Sequence, residues 1–261
     1  MSSSAAEAGF REERTGGALL LSLDRPAAGN ALDEATIRAM RARLDDAAGD
    51  ATLRCVILAG TGRFFCAGGD LKAYRALASR AELERVFGAA RGLLDAIEAF
   101  PLPVIAAIDG YALGGGAELA LACDLRVAGA GAAIGFPQLR LGIITGWDGM
   151  ERLAALAGRG TAMRLLLTGE RLSAEAARQA GLVDIAAENA REAALGIAAG
   201  LERAAPLAIR GAKEALRALA RPHPEARRVA ADVFARLWFT EDHREAERAF
   251  AEKREATFHG R

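Results

Sequence analysis

Through the first part of the chain the apolar residues come in short unbroken blocks; towards the end they are spaced among Ala, Arg and Glu. Residues 18–23 (Ala-Leu-Leu-Leu-Ser-Leu) are such a block, too short for a buried helix, and predict a strand. After Pro26 and Gly29, Ile37, Met40 and Leu44 recur at helical spacing. Residues 53–58 predict a second strand that ends in the turn Ala59-Gly60-Thr61-Gly62. Residues 82–100 predict a long helix with Leu83, Val86, Leu93, Leu94 and Ile97 facing inward, stopped by Pro101 and Pro103. A third strand is expected over 104–108. Gly114-Gly115-Gly116 then breaks the chain, and 117–123 can run on as a helix. Residues 125–128 predict a fourth strand. Ser173 reads as the N-cap of a helix over 174–180 that Gly181 closes, and 183–185 read as a further strand.

From Glu188 onward there is no strand pattern. Residues 201–261 predict helices interrupted at Pro206 and at Arg221-Pro222-His223-Pro224. Strand–helix units followed by an all-helical tail predict an α/β core over 1–200 with a helical C-terminal region over 201–261. No internal repeat or low-complexity linker separates them.

Composition narrows the function classes. The 261 residues are 52% apolar but only 5% aromatic, so Ala, Leu, Val and Ile must fill a sizeable core. Lys plus Arg number 34 and Asp plus Glu number 34, and no basic block breaks that balance. This gives no electrostatic footprint for nucleic acid or an anionic membrane. Apolar stretches such as 102–108 are far too short to span a bilayer. The N-terminus lacks a secretory apolar core, and Glu7, Glu12 and Glu13 argue against a mitochondrial transit peptide. Cys55, Cys66 and Cys123 are scattered without metal-type spacing, which suggests reduced thiols in a cytoplasmic protein. The histidines, His223, His243 and His259, all lie in the tail, so the main body has neither a His-based triad nor a His-rich metal site. No metal or redox cofactor is expected.

Two glycine-rich turns carry the candidate chemistry. One is Arg63-Phe-Phe-Cys-Ala-Gly-Gly-Asp-Leu-Lys72; the other is Asp109-Gly-Tyr-Ala-Leu-Gly-Gly-Gly-Ala-Glu-Leu-Ala120. Small residues let backbone N–H groups face a ligand, and two such groups can hold a developing oxyanion. Either turn alone is a weak signal. Together, at this separation, they resemble the two oxyanion segments of the crotonase (enoyl-CoA hydratase/isomerase) superfamily. The resemblance extends to Leu23-Asp24-Arg25-Pro26 with Asn30-Ala31-Leu32, to Thr168-Gly169-Glu170, to 176–183, and to Phe239-Thr240-Glu241-Asp242 and 249–254.

The resemblance implies a crotonase-type core of repeated ββα units with a helical C-terminal oligomerisation region, and a homotrimer or dimer of trimers. It implies an acyl-CoA thioester as substrate, with the CoA moiety belonging to that substrate. The N–H groups of Gly69 and Gly115 would form the oxyanion hole. Contacts to the thioester would come from Arg25, Ala67, Asp70, Leu71 and Lys72, and from Phe250 and Lys253 in the C-terminal helix. Glu118 falls at the position of one of two hydratase carboxylates. A carboxylate on the otherwise apolar stretch 117–122 is costly unless paired or used, and burial should raise its pKa.

At the second carboxylate the chain departs from the pattern. The segment Ile134-Gly-Phe-Pro-Gln-Leu-Arg-Leu-Gly142 places Gln138 where the family has Glu. Gln can hold a water but cannot ionise. The leading expectation is an enoyl-CoA hydratase-like lyase with Glu118 as acid/base and Gln138 positioning the water. Asp148 is a candidate substitute carboxylate. The alternatives are a decarboxylase, for which Tyr74 and Lys72 are nearby donors, a double-bond isomerase, or a non-catalytic acyl-CoA-binding protein. The stretch from Leu71 through Tyr74 and Leu77 to Phe87 is expected to line an acyl pocket that Trp147 caps.

Overall fold

The computed structural model describes residues 9–202, 204, 206–219, 234, 235, 238–254 and 256. Strands β1 (Phe10–Thr15), β2 (Ala18–Leu23), β3 (Cys55–Gly60), β5 (Val104–Ile108), β7 (Leu125–Ala128) and β10 (Ile185–Ala186) form one sheet in that order. Only the β1–β2 pair in it is antiparallel. Strands β4 (Phe64–Cys66), β6 (Tyr111–Leu113), β8 (Ala133–Gly135) and β9 (Arg171–Ser173) form a second sheet in the order β4-β6-β8-β9. From β3 to β8, consecutive strands alternate between the two sheets. This is the ββα repeat expected from the resemblance.

Both faces of the larger sheet's inner strands, β2, β3, β5 and β7, are covered. Leu19, Leu21, Val56, Leu58, Val104 and Ala106 point into the main core with α1 (Glu34–Ala47) and α3 (Arg80–Ala99). Leu20, Ile57, Ile105 and Val127 point the other way, onto Ala190, Ala194 and Ala198 of α7 (Ala190–Leu201). Burial on both faces is why these strands read as continuous apolar blocks. The predicted strand over 53–58 runs instead from Cys55 to Gly60, and that over 183–185 is pushed to Ile185–Ala186. Between β9 and β10, Ser173 caps α6 (Ala174–Gln179) by accepting from the Ala176 N–H at 3.3 Å.

The hydropathy pattern did not reveal the smaller sheet. Its members are three residues long, and turns around Gly110 and Gly114 interrupt any period. It also missed β1, whose sequence Phe-Arg-Glu-Glu-Arg-Thr buries only its first residue at a sheet edge. Also missed are α7, whose inward residues are all Ala, and α5 (Gly149–Thr168), which non-helical backbone at Gly158 divides in two.

The described tail is helical, with α8 (Pro206–Leu219) and α9 (Glu241–Glu252). The expected break at 221–224 lies outside the described residues. Pro206 opens α8, a place where its missing N–H costs nothing. Lys213 ties α8 to the core: its Nζ donates to the carbonyls of Ile97 (3.3 Å) and Leu102 (3.0 Å) and pairs with Asp124 (2.5 Å). Among the described residues no helix is long and apolar enough to cross a membrane.

Candidate active site

The strand–turn–helix segments after β4 and β6 meet at one cavity with about 560 Å³ of empty space, part of it open to solvent. Ala67, Gly69 and Leu71 come from the first turn, and Gly114, Gly115 and Glu118 from the second. Short helices follow both turns: α2 (Leu71–Tyr74), which Asp70 caps, and α4 (Gly115–Leu121).

The glycines are there because the two segments touch. A Cβ on Gly68 would lie 2.9 Å from the Gly115 nitrogen, and Gly68 itself has φ +104°. A Cβ on Gly115 would lie 2.7 Å from the Trp147 ring. Such approaches leave room only for hydrogen. Leu32 pairs with the first turn by donating to Gly68 O (2.8 Å) and accepting from Asp70 N–H (3.1 Å). That pairing skips the Gly69 N–H. The Gly115 N–H stands at the start of α4, where no helical carbonyl precedes it. Among the described residues, neither N–H makes a hydrogen bond.

Glu118 lies in the same cavity and is 2% exposed. Its Oε2 accepts from the N–H groups of Trp147 (2.8 Å) and Gly149 (3.0 Å). Its Oε1 accepts from Gln138 Nε2 at 3.0 Å. Burial pushes the carboxyl up to about 7, against the pull of the Trp147, Gly149 and Gly146 N–H groups and of the Arg152 charge. Gln138 is itself 6% exposed, and its Oε1 is buried with no hydrogen-bond donor. An acceptor left bare in such a place is costly unless a ligand supplies the donor.

A sequence profile of the enoyl-CoA hydratase/isomerase family matches residues 13–261. The chain belongs to that family. The 2,3-dehydroadipyl-CoA hydratase of Escherichia coli (strain K12) is 40% identical to it over 251 residues, covering 93% of this chain and 95% of the relative. The short-chain-enoyl-CoA hydratase of Clostridium acetobutylicum is 34% identical, covering 93% and 94%. Among solved structures, a carnitinyl-CoA dehydratase from Mycobacterium avium 104 superimposes with a TM-score of 0.83 at 37% identity, covering 97% of this chain and 99% of that one.

With family membership established, the expected site residues sort by position. Glu118, Gln138, Gly69, Gly115, Ala67 and Leu71 line the cavity. Arg25 and Asp70 do not line it. They pair at 3.1 Å behind the first turn, where Arg25 also donates to Ala31 O (2.6 Å). Lys72 is exposed outside the wall. Phe250, 66% exposed on α9, and Lys253 at its C-cap are also away from this chain's cavity.

Asp148 corrects an expectation. It lies at the N-cap of α5 beside Arg152 and not in the cavity wall, so it cannot replace a carboxylate at position 138. Tyr74, Phe87 and Trp147 do line the cavity, while Leu77 packs behind it.

Phe234 and Trp238 were missed, yet they complete the wall by stacking on Phe87 at 4.5 and 5.1 Å between ring centroids. Their spacing of four residues in an Ala/Arg/Glu-rich tail was the available signal. Behind them, His243 of α9 stacks on Trp238 at 4.5 Å, and its Nδ1 lies 2.7 Å from Leu141 O.

Proposed function

We propose that the chain is an enoyl-CoA hydratase that works with a single carboxylate. The observation that carries this reading is the bare Gln138 Oε1. It shares one cavity with the Glu118 carboxylate and with two unpartnered N–H groups. The thioester oxygen would accept from Gly69 and Gly115, which stabilise it most as it becomes an enolate. A water would donate one hydrogen to Gln138 Oε1 and the other to Glu118 Oε1. As its oxygen bonds to C3, the C2=C3 electron pair moves towards the thioester oxygen and Glu118 takes the proton. Glu118 then returns that proton to C2, and the enolate electrons close the new C–H bond. Dehydration is the same path reversed. A double-bond isomerase would need the carboxylate but no water, and would leave Gln138 Oε1 without a donor.

Away from Glu118 the wall is Leu71, Tyr74, Phe87, Ile144, Phe234 and Trp238, and among the described lining residues there is no cation. This favours an uncharged acyl chain. A chain ending in a carboxylate, as the name of the Escherichia coli relative implies, would lose hydration there without gaining a partner. The test is hydration of trans-2-hexenoyl-CoA and 2,3-dehydroadipyl-CoA, six-carbon chains that differ at the far end. Hexenoyl-CoA is expected to be hydrated to the 3-hydroxyacyl thioester with kcat/KM about 10²-fold higher. A shifted double bond as the product would point to an isomerase, and equal rates on the two thioesters would sink the uncharged-chain reading.

The exposed Leu167, Leu216 and Phe250, each more than 60% accessible, suit an assembly in which these helices meet another copy. A trimer or dimer of trimers is the expected mass in sedimentation. A stable monomer would count against it.

A further inference from the structure

Arg152, one turn into α5, is buried and is not part of the cavity wall, so it cannot touch a substrate. Its polar contacts nonetheless lead to the carboxylate. Nη1 donates to Trp147 O at 2.7 Å, and the N–H of that same residue donates to Glu118 Oε2 at 2.8 Å. Gly149, the other N–H on Oε2, is in the same first turn of α5 as Arg152. On its far side Arg152 Nε pairs with Glu98 (2.5 Å) and Nη2 with Asp95 (3.3 Å), both on α3. A guanidinium is always charged and presents its donors in a fixed fork, so one side chain grips α3 and the Trp147 carbonyl together.

We propose that Arg152 is a positioning residue for Glu118, fixing the loop whose N–H groups hold the carboxylate and supplying a positive charge that Glu98 and Asp95 attenuate. The proposal rests on the reading of Glu118 as the acid/base. Other ionisable groups around the pair are few among the described residues. Asp148 and Glu151 adjoin Arg152 at the start of α5, Arg91 of α3 donates to Gly146 O (3.3 Å) and pairs with Glu84 (2.5 Å), Gln138 is neutral, and β4 brings the Cys66 thiol against α4. Burial pushes that thiol up to about 12, so it stays neutral across the working range. The Arg152 charge pulls on Glu118 against the effect of burial, while Arg91 is held by Glu84 on the other side of the loop.

Substitutions on the two sides of this link have opposite signs. Arg152→Met removes the charge and should move the Glu118 midpoint up by about one pH unit. Glu98→Gln removes part of the attenuation and should move it down. Arg152→Lys keeps the charge without the fork; it should leave the midpoint near that of the unmodified protein and lower kcat about tenfold with KM little changed. The readouts are the pH profile of kcat/KM and the infrared carbonyl band of protonated Glu118, assigned by its absence in Glu118→Gln. The infrared titration needs no turnover. A band that moves as stated in a protein without hydratase activity overturns the hydratase reading and keeps the link. A band that stays put in Arg152→Met and Glu98→Gln while hydration persists overturns the link. If Arg152→Met does not fold, Glu98→Gln and Arg152→Lys decide together: a band that stays put in Glu98→Gln, or a kcat that Arg152→Lys leaves unchanged, overturns the link.

Discussion

Replacing Glu118 by Gln should lower kcat/KM by about 10³-fold or more while leaving the fold intact and, above pH 7, more stable. The activity loss follows from chemistry: an amide accepts and donates hydrogen bonds but carries no proton between water and carbon. Retention of the fold follows from geometry. The oxygen of the introduced amide can take the place of Oε2 and accept from Trp147 and Gly149. Its NH₂ then faces Gln138, whose Nε2 now donates to Glu118 and whose Oε1 has no donor. Turning the Gln138 amide over satisfies both side chains.

The stability gain follows from where the carboxyl ionises. Burial holds it near 7 in the folded chain against an ordinary 4.5. Between those values the native state keeps a proton that the unfolded chain has lost, so stability falls as pH rises. By pH 8 the loss from this one group is about 3 kcal/mol. Below about pH 4.5 both states are protonated and the contribution is intact. The measurement is thermal unfolding of both proteins from pH 5 to 8. The midpoint difference should grow in favour of Glu118→Gln across that range, since every other titrating group is common to both. A constant difference would mean that Glu118 is not held near 7.

That one carboxylate could be singled out from sequence at all reflects its surroundings. Ala117, Leu119, Ala120, Leu121 and Ala122 announce a buried helix, and a charge among them needs a reason. The glycine turns were legible for a similar cause: each marks a backbone approach that no side chain tolerates. The inner strands of the larger sheet were legible because both their faces are covered. What stayed hidden depends on contacts distant in sequence. Phe234 reaches Phe87, and Arg152 reaches Glu98, across more than fifty residues, with no local pattern to tie them. The smaller sheet hid because three-residue strands are too short to show a period. Asp148 misleads because nearness in sequence to Gln138 is not nearness to the cavity: the backbone turns at its positive φ of 61° and leaves the carboxylate beside Arg152.

Gln138→Glu is the change that asks what the amide is for. It sets a second carboxyl beside Glu118, at a place where the present contact is 3.0 Å and both side chains are almost fully buried. Two like charges at that distance between nearly buried side chains cannot both form, so the pair should retain one proton through neutral pH. That proton lies on the introduced carboxyl when Glu118 is ionised, and the resulting O–H can still hydrogen-bond Glu118 Oε1. The variant therefore gains a proton donor that Gln138 lacks. If water is the second substrate, hydration at pH 7 should rise about 10²-fold.

The pH profile should change as well. The unmodified protein has one titrating group in its mechanism, so its rate should climb through about 7, as Glu118 ionises, and then level off. The variant needs one proton on the pair, so its rate should fall again in alkali as that proton is lost. Rate measurements from pH 5 to about 10 on an enoyl-CoA distinguish the two shapes. An unchanged rate with a single rising limb would mean that position 138 does not face the water. Loss of all hydration in a folded variant would show that the amide itself, and not a general acid, is what the reaction requires there.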